Sequence, residues 1–230
     1  MGKVQEKRID QSVQRILRQK FLLGLFENPY VDVEKAIKTV GKKEWIDLGE
    51  ATQRRSLTLL KNKKNTLSLQ ASKYKIFIKN IDKAVASKYA TVVDDPKKAD
   101  FAIIRTNIPW VPVETDNPIA RSFHHGDLDF KGKEKEEILS ICLAVPIILN
   151  IYIDCPAVIT DIDKVAISTI ADYGASDAAV LDVIFVKAKP EGKLPFELPS
   201  SMEAVKNQKE DDPYDSKNPP YKFGHGLRYK

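Results

Sequence analysis

From Tyr74 onward short apolar runs alternate with helical stretches, and this alternation restricts the possible folds more than any other feature of the chain. Lys75 to Lys79, Thr91 to Val93, Phe101 to Arg105, Ile147 to Ile153 and Ala166 to Tyr173 read as strands. Ile81 to Tyr89, Gly132 to Ala144 and Ser176 to Val186 read as helices. Asp177 near the start of the last helix, with Pro190 and Gly192 beyond its end, supplies the expected start and stop signals. Strands joined through helices form a mostly parallel sheet, because each crossover returns the chain over a sheet face. The fold class is therefore α/β, a layered sandwich around a mostly parallel sheet.

The preceding segment has a different pattern. Val13, Ile16, Leu17 and Phe21 line one face of an amphipathic helix from Asp10 to Leu23, with Arg15, Arg18 and Gln19 opposite. Gly24 stops it, and Glu27-Asn28-Pro29-Tyr30 turns into an extended linker reaching about Val40. A second helical pattern runs from about Lys43 to Leu60. The leading helix is either a cap on the same domain or the last piece of something larger, and sequence alone leaves both open. The tail from Leu198 is polar and proline-bearing, which predicts a surface wrap that adds no layer. The expected division is a helix and linker over 1–42, a sandwich over 43–200 and a tail over 201–230.

Charge and composition remove several classes of function. With 43% apolar and 30% charged residues, the chain has enough apolar surface to bury a core. Thirty-seven Lys and Arg against 32 Asp and Glu leave a net charge of +5. The basic groups, such as Lys61-Asn62-Lys63-Lys64, are scattered and not interleaved with aromatics, which argues against a nucleic-acid partner. The longest apolar run, Val145 to Ile153, is broken by Pro146 and Asn150, so no membrane helix is expected. No export or lipid signal follows Met1-Gly2-Lys3, and the compartment stays open. Cys142 and Cys155 have no ligand spacing and read as buried thiols, neither a disulfide nor a zinc or redox pair.

The loop from Thr106 to Phe130 follows an apolar strand and holds Glu114, Asp116, Arg121, His124, His125, Asp127 and Asp129. Ligands of parallel α/β sheets sit outside the carboxyl ends of strands, so a site is expected here. A metal held by His124, His125 and Asp127 fits poorly, because adjacent histidines on an extended chain point opposite ways. Ser122 lies in no G-x-S-x-G elbow, and neither G-x-G-x-x-G nor G-x-x-x-x-G-K-[ST] occurs. No metal and no cofactor are expected. A carboxylate acting as general acid and base toward a sugar fits the loop best.

Six motifs then occur in one order. They are Ser12-Val-Gln-Arg-Ile-Leu17 with Lys20 to Tyr30, Ser56-Leu-Thr-Leu-Leu-Lys-Asn62, Asp94-Asp-Pro-Lys-Lys-Ala-Asp-Phe-Ala-Ile-Ile104, Gly126-Asp-Leu-Asp129, Pro190-Glu-Gly-Lys-Leu-Pro195, and Tyr221-Lys-Phe-Gly-His-Gly-Leu227. Together they resemble the C-terminal α/β-sandwich half of a glycoside hydrolase family 3 β-glucosidase over nearly the whole chain. The resemblance implies retaining hydrolysis of β-linked glucosides or xylosides, with the nucleophile on a barrel aspartate and a glutamate acid/base carried by the sandwich. It places Glu114 in the acid/base position and makes His124, His125 and Asp127 candidate sugar contacts. It makes residues 1–42 the end of a barrel whose nucleophile lies upstream. The chain alone is then expected to be inactive, its partners being a β-glucoside or related sugar and a separate barrel chain. A non-catalytic carbohydrate-binding or interaction module is the alternative. Family members are often secreted or periplasmic. An uncovered barrel surface would leave apolar patches on the leading helix and on the sheet edge. Thr58, Ser68, Cys155, Val186 and Arg228 depart from the family pattern, Val186 standing where a glycine is usual.

Overall fold

The computed structural model describes residues 3–67, 69–111, 113–123 and 126–229; Ser68, His124 and His125 lie outside them. The chain divides into two compact units, Met1–Asp47 and Leu48–Lys230. The first contains α1 (Glu6–Leu22), α2 (Val33–Thr39) and the start of α3 (Lys43–Ser56). The linker expected up to Val40 is in fact partly helical. Asp32 accepts a hydrogen bond from Lys35 N at 3.0 Å, Glu34 sits in the first turn of α2 and Lys38 in its last. Caps and dipole partners thus form a seven-residue helix too short to show apolar periodicity. No residue of α1, α2 or α3 is buried. Val13, Ile16 and Phe21 are 45%, 59% and 59% exposed, so the apolar face of α1 is uncovered.

The helical pattern expected to reach Leu60 ends at Ser56, and the chain enters β1 (Thr58–Asn62). Its neighbours explain the change. Arg55 O and Leu57 O accept Glu191 N and Gly192 N at 3.1 Å each, and Thr58 to Asn62 pair antiparallel with β6 (Ser168–Asp172). Leu57, Leu59 and Leu60 are buried, which a continued helix would not achieve on both faces of a sheet. Between β1 and β6 come β2 (Lys75–Lys79), α4 (Lys83–Ala86), β3 (Thr91–Val92), β4 (Phe101–Asn107), α5 (Gly132–Ala144), β5 (Ile147–Tyr152) and α6 (Thr160–Val165). After β6 come α7 (Asp177–Ile184) and the short α8 (Met202–Lys206).

The six strands lie in the order β1-β6-β5-β4-β2-β3, all pairs parallel except β1 with β6. The sheet has a core on each face. Ala102, Ile104, Leu149 and Ile151 join Ile138 and Ile141 of α5 and Ile162 of α6. Ile103, Ile148 and Ile170 join Ala86 of α4 and Val180, Leu181 and Ile184 of α7 on the other. Each Ile, Leu or Val among them contributes about 1.5 to 3 kcal/mol by leaving water. No disulfide joins Cys142 and Cys155; both are partly buried, and burial together with Asp154 pushes the Cys155 thiol up.

The tail does more than wrap the surface. Leu227 bridges Leu59 of the edge strand, its N–H donating to Leu59 O at 2.8 Å, and His225 Nε2 lies 2.8 Å from Leu60 O. Gly192 is required where the chain crosses beside β1, since a Cβ there would lie 2.0 Å from Ser56 O. At β1, one of the two sheet edges, the chain's own end covers the strand. Tyr221 Oη donates to Asp163 Oδ2 at 3.0 Å, Thr169 Oγ1 donates to Oδ1 at 2.6 Å, and Lys61 Nζ pairs with Asp163 at 3.2 Å. Burial raises the Tyr221 phenol and, despite Asp163, lowers the Lys61 ammonium.

Two stability effects follow from these contacts. Asp163→Ala removes the counter-ion of a partly buried ammonium and the acceptor of two hydroxyls, and is expected to cost about 3 kcal/mol in urea unfolding. Val186 has φ 60°, a left-handed conformation unfavourable for a β-branched side chain. Val186→Gly is expected to raise stability by about 1 kcal/mol, the relieved strain exceeding the added freedom of the unfolded chain. An unchanged or lower melting temperature for that variant contradicts the strain.

Candidate functional site

β3 lies on one side of β2 and β4 on the other, so the winding of the sheet reverses between β2 and β4. Reversals of this kind open a crevice at the carboxyl ends of the two strands. A cleft of about 650 Å³ lies there, lined by Asn80 after β2, Arg105 to Trp110 at the end of β4, and Glu134 from the first turn of α5. Thr106 Oγ1 donates to Glu134, and Ile108 N to Tyr152 O at 3.2 Å, which fixes where the chain leaves the sheet.

The loop that begins here carries the expected carboxylates, and the structure separates them into two groups. Glu114, Asp116 and Arg121 line an open groove of about 600 Å³ distinct from the cleft. Asn117 Oδ1 accepts Ile119 N at 2.9 Å and Arg121 Nε donates to Thr115 O, so the tip folds on local contacts. Glu114 is exposed. Gly126 brings the returning limb back at φ +84°, where a Cβ would lie 2.8 Å from Val111 Cγ2. Asp127 and Asp129 gather instead on Lys131, Asp127 by a direct hydrogen-bonded ion pair and Asp129 at 3.3 Å. The hydrogen bond from Lys131 holds the Asp127 carboxyl below its ordinary range. His124 and His125 fall outside the described residues, so their expected sugar contacts have no geometry here.

Sequence reasoning passed over the cleft. Arg105 read only as the end of an apolar strand, and Glu134 fell within the helix Gly132 to Ala144 without being singled out. A cation closing an apolar strand is a usable signal, because it must find partners at the sheet end. Arg105 finds Asp177 at 2.5 Å, Ala175 O at 2.8 Å and Asp172 at 3.5 Å. Trp110, Val111, Ile119 and Phe123 are all exposed along the loop, an apolar surface that the charged residues gave no reason to expect. Among the described residues no group of three or more Asp, Glu, His or Cys is placed to hold a metal, and no helix is long and apolar enough to cross a membrane.

The sequence pattern of the glycosyl hydrolase family 3 C-terminal domain matches residues 72–229. Among curated proteins, the chain is 46% identical over 231 residues to a probable beta-glucosidase C of Aspergillus flavus, covering 99% of this chain and 36% of that protein. It is 39% identical to a periplasmic beta-glucosidase/beta-xylosidase of Dickeya chrysanthemi, covering 98% of this chain and 35% of that protein. Among solved structures, a beta-glucosidase from Listeria innocua in complex with glucose superposes with a TM-score of 0.69 at 17% identity, over 99% of this chain and 39% of that one. The b-glucosidase EmGH1 from Erythrobacter marinus gives 0.71 at 18% identity, over 99% of this chain and 41% of that one. The chain thus spans about a third of the length of the curated relatives it matches.

The pairing of Asp127 with Lys131 has a measurable sign. A carboxyl with a depressed folded pKa adds stability above its unfolded pKa and loses it as the pH falls through the folded value. Lys131→Ala is expected to move the Asp127 titration back up to the ordinary carboxylate range, followed by carboxyl carbon NMR. An Asp127 midpoint that stays low in the variant contradicts the pairing.

Proposed function

Starting from the fact that the chain belongs to the glycosyl hydrolase family 3 C-terminal domain family, we propose that it supplies Glu114 as the acid/base carboxylate in the retaining hydrolysis of β-linked glucosides or related sugars. The observation that carries this reading is the placement of Glu114, exposed on an open groove in the loop leaving the carboxyl end of β4. In the first step the Glu114 carboxyl gives its proton to the leaving glycosidic oxygen while a carboxylate nucleophile bonds to the anomeric carbon. In the second, Glu114 takes a proton from the water that releases the sugar. Double displacement needs two carboxyls about 5 to 5.5 Å apart. The nucleophile belongs to a barrel segment, of the kind the family resemblance implies ahead of the sandwich.

That segment has two jobs in this reading. It brings the nucleophile, and it buries Glu114. Enclosure by a neighbouring domain disfavours a charged carboxylate, which keeps a proton available for the leaving oxygen. Forming the glycosyl-enzyme removes the nucleophile's charge and lets the same carboxyl ionise again as base. Residues 1–42 are the closing helix and linker of that barrel, and the exposed Val13, Ile16 and Phe21 face of α1 is the surface it would cover.

The purified chain is expected to release no nitrophenol from an aryl β-glucoside, and to do so once a family barrel segment is joined ahead of it. In that assembly Glu114→Gln is expected to slow hydrolysis of an alkyl glucoside by about 10²- to 10⁴-fold. A dinitrophenyl glucoside, whose leaving group needs no proton, loses far less in the glycosylation step. Turnover by the chain alone, or equal losses with both leaving groups, overturns the reading.

A further inference from the structure

The carboxyl ends of β2, β4 and β6 are tied together through one guanidinium. Arg105 Nη1 donates to Asp177 Oδ1 at 2.5 Å, and Nη2 donates to Ala175 O at 2.8 Å and reaches Asp172 Oδ2 at 3.5 Å. Asp172 is fully buried at the end of β6, where its other oxygen accepts Gly174 N at 3.0 Å and Ala175 N at 3.1 Å. Asp177 Oδ2 accepts Asp82 N at 2.8 Å, and Asp82 in turn caps α4 through Val85 N at 2.9 Å. The frame closes on the backbone of Arg105 itself, whose carbonyl accepts Asn80 Nδ2 at 2.8 Å.

We propose that Arg105 is the positioning residue of the 106–130 loop: its fork joins the exits of β2 and β6 to that of β4 and so sets the direction in which the loop leaves the sheet. The functional weight of this inference rests on the reading of that loop as the carrier of Glu114. Arg105 borders the cleft, and its contacts with two carboxylates and a carbonyl hold the guanidinium in this frame. The planar shape matters as much as the charge. A guanidinium presents donors in a fixed fork that meets Asp177 and Ala175 O from one side chain, whereas a lysine ammonium is a compact point charge on a flexible stem. The next steps of the outgoing chain are held by neighbouring elements, Thr106 on Glu134 of α5 and Ile108 N on Tyr152 O of β5.

The test is amide hydrogen exchange by NMR on the chain and on Arg105→Lys and Arg105→Met. The reporters are Ile108 for the β4 exit, Asp82 for the β2 exit and Ala175 for the β6 exit, with the interior amides of β5 as reference. In Arg105→Lys all three exits are expected to exchange roughly tenfold faster or more while β5 keeps its rates, because the charge remains but the fork is lost. Arg105→Met is expected to show the same local loss, and if it fails to fold, Arg105→Lys decides. Exits at the parent rate in Arg105→Lys, or acceleration spread evenly through β5, overturn the proposal. The readout involves no turnover, so its failure leaves the leaving-group test of Glu114 standing, and the converse holds as well.

Discussion

The structure depends on the parallel pairing of β4 with β5 under two apolar layers. Ile147, Ile148, Leu149 and Ile151 are all fully buried, so this strand can lie only in the interior of a sheet covered on both faces. Covering both faces requires helices on each side, which α5 and α6 supply on one and α4 and α7 on the other. Adding β2 and β3 beyond β4 then makes the winding reverse beside β4, and the reversal opens the cleft. The site is where it is because the central strands bury apolar side chains on both faces. Asn150 is the exception within β5: it is fully buried, with Nδ2 on Ile170 O at 3.3 Å, and sits in register with Arg105.

How much of this was legible in the sequence depended on the length of each signal. α5 has the bounds its periodicity predicts, Gly132–Ala144, and the strands fall where the apolar runs lie. α2, α6 and α8 escaped because five to seven residues give too few turns for a period, and in α2 and α8 a capping side chain on the backbone holds the start. The end of α3 was overrun by helical periodicity alone, although the family resemblance of Ser56 to Asn62 already implied a strand there. Leu57, Leu59 and Leu60 suit either a helix or a strand, and the choice is made by residues far along the chain, Glu191, Gly192 and Leu227, which take the local backbone groups.

The candidate site was legible as a loop and not as a constellation. Acidic residues close in sequence suggested one cluster, yet a salt bridge at i, i+4 draws Asp127 to Lys131 while Glu114 and Asp116 line a groove with Arg121. The contacts of Asp127 and Asp129 with Lys131 are local ones that a count of carboxylates does not reveal. The cleft residues were invisible for the opposite reason. Asn80, Arg105 and Glu134 come from three separate segments, and only the topology brings them together.

The same topology explains why the family motifs at the end of the chain need not be catalytic to be specific. Gly192 and the Tyr221 to Leu227 segment meet at β1, where Leu227 bridges Leu59 and Tyr221 reaches Asp163. An antiparallel edge on an otherwise parallel sheet is open to pairing with other chains unless something covers it. The tail covers it with backbone hydrogen bonds and anchors itself through a carboxylate shared by Lys61, Thr169 and Tyr221. Sequence specificity in this part of the domain therefore follows from closing the sheet at β1, an edge that β6 and β5 separate from the strand that the 106–130 loop leaves.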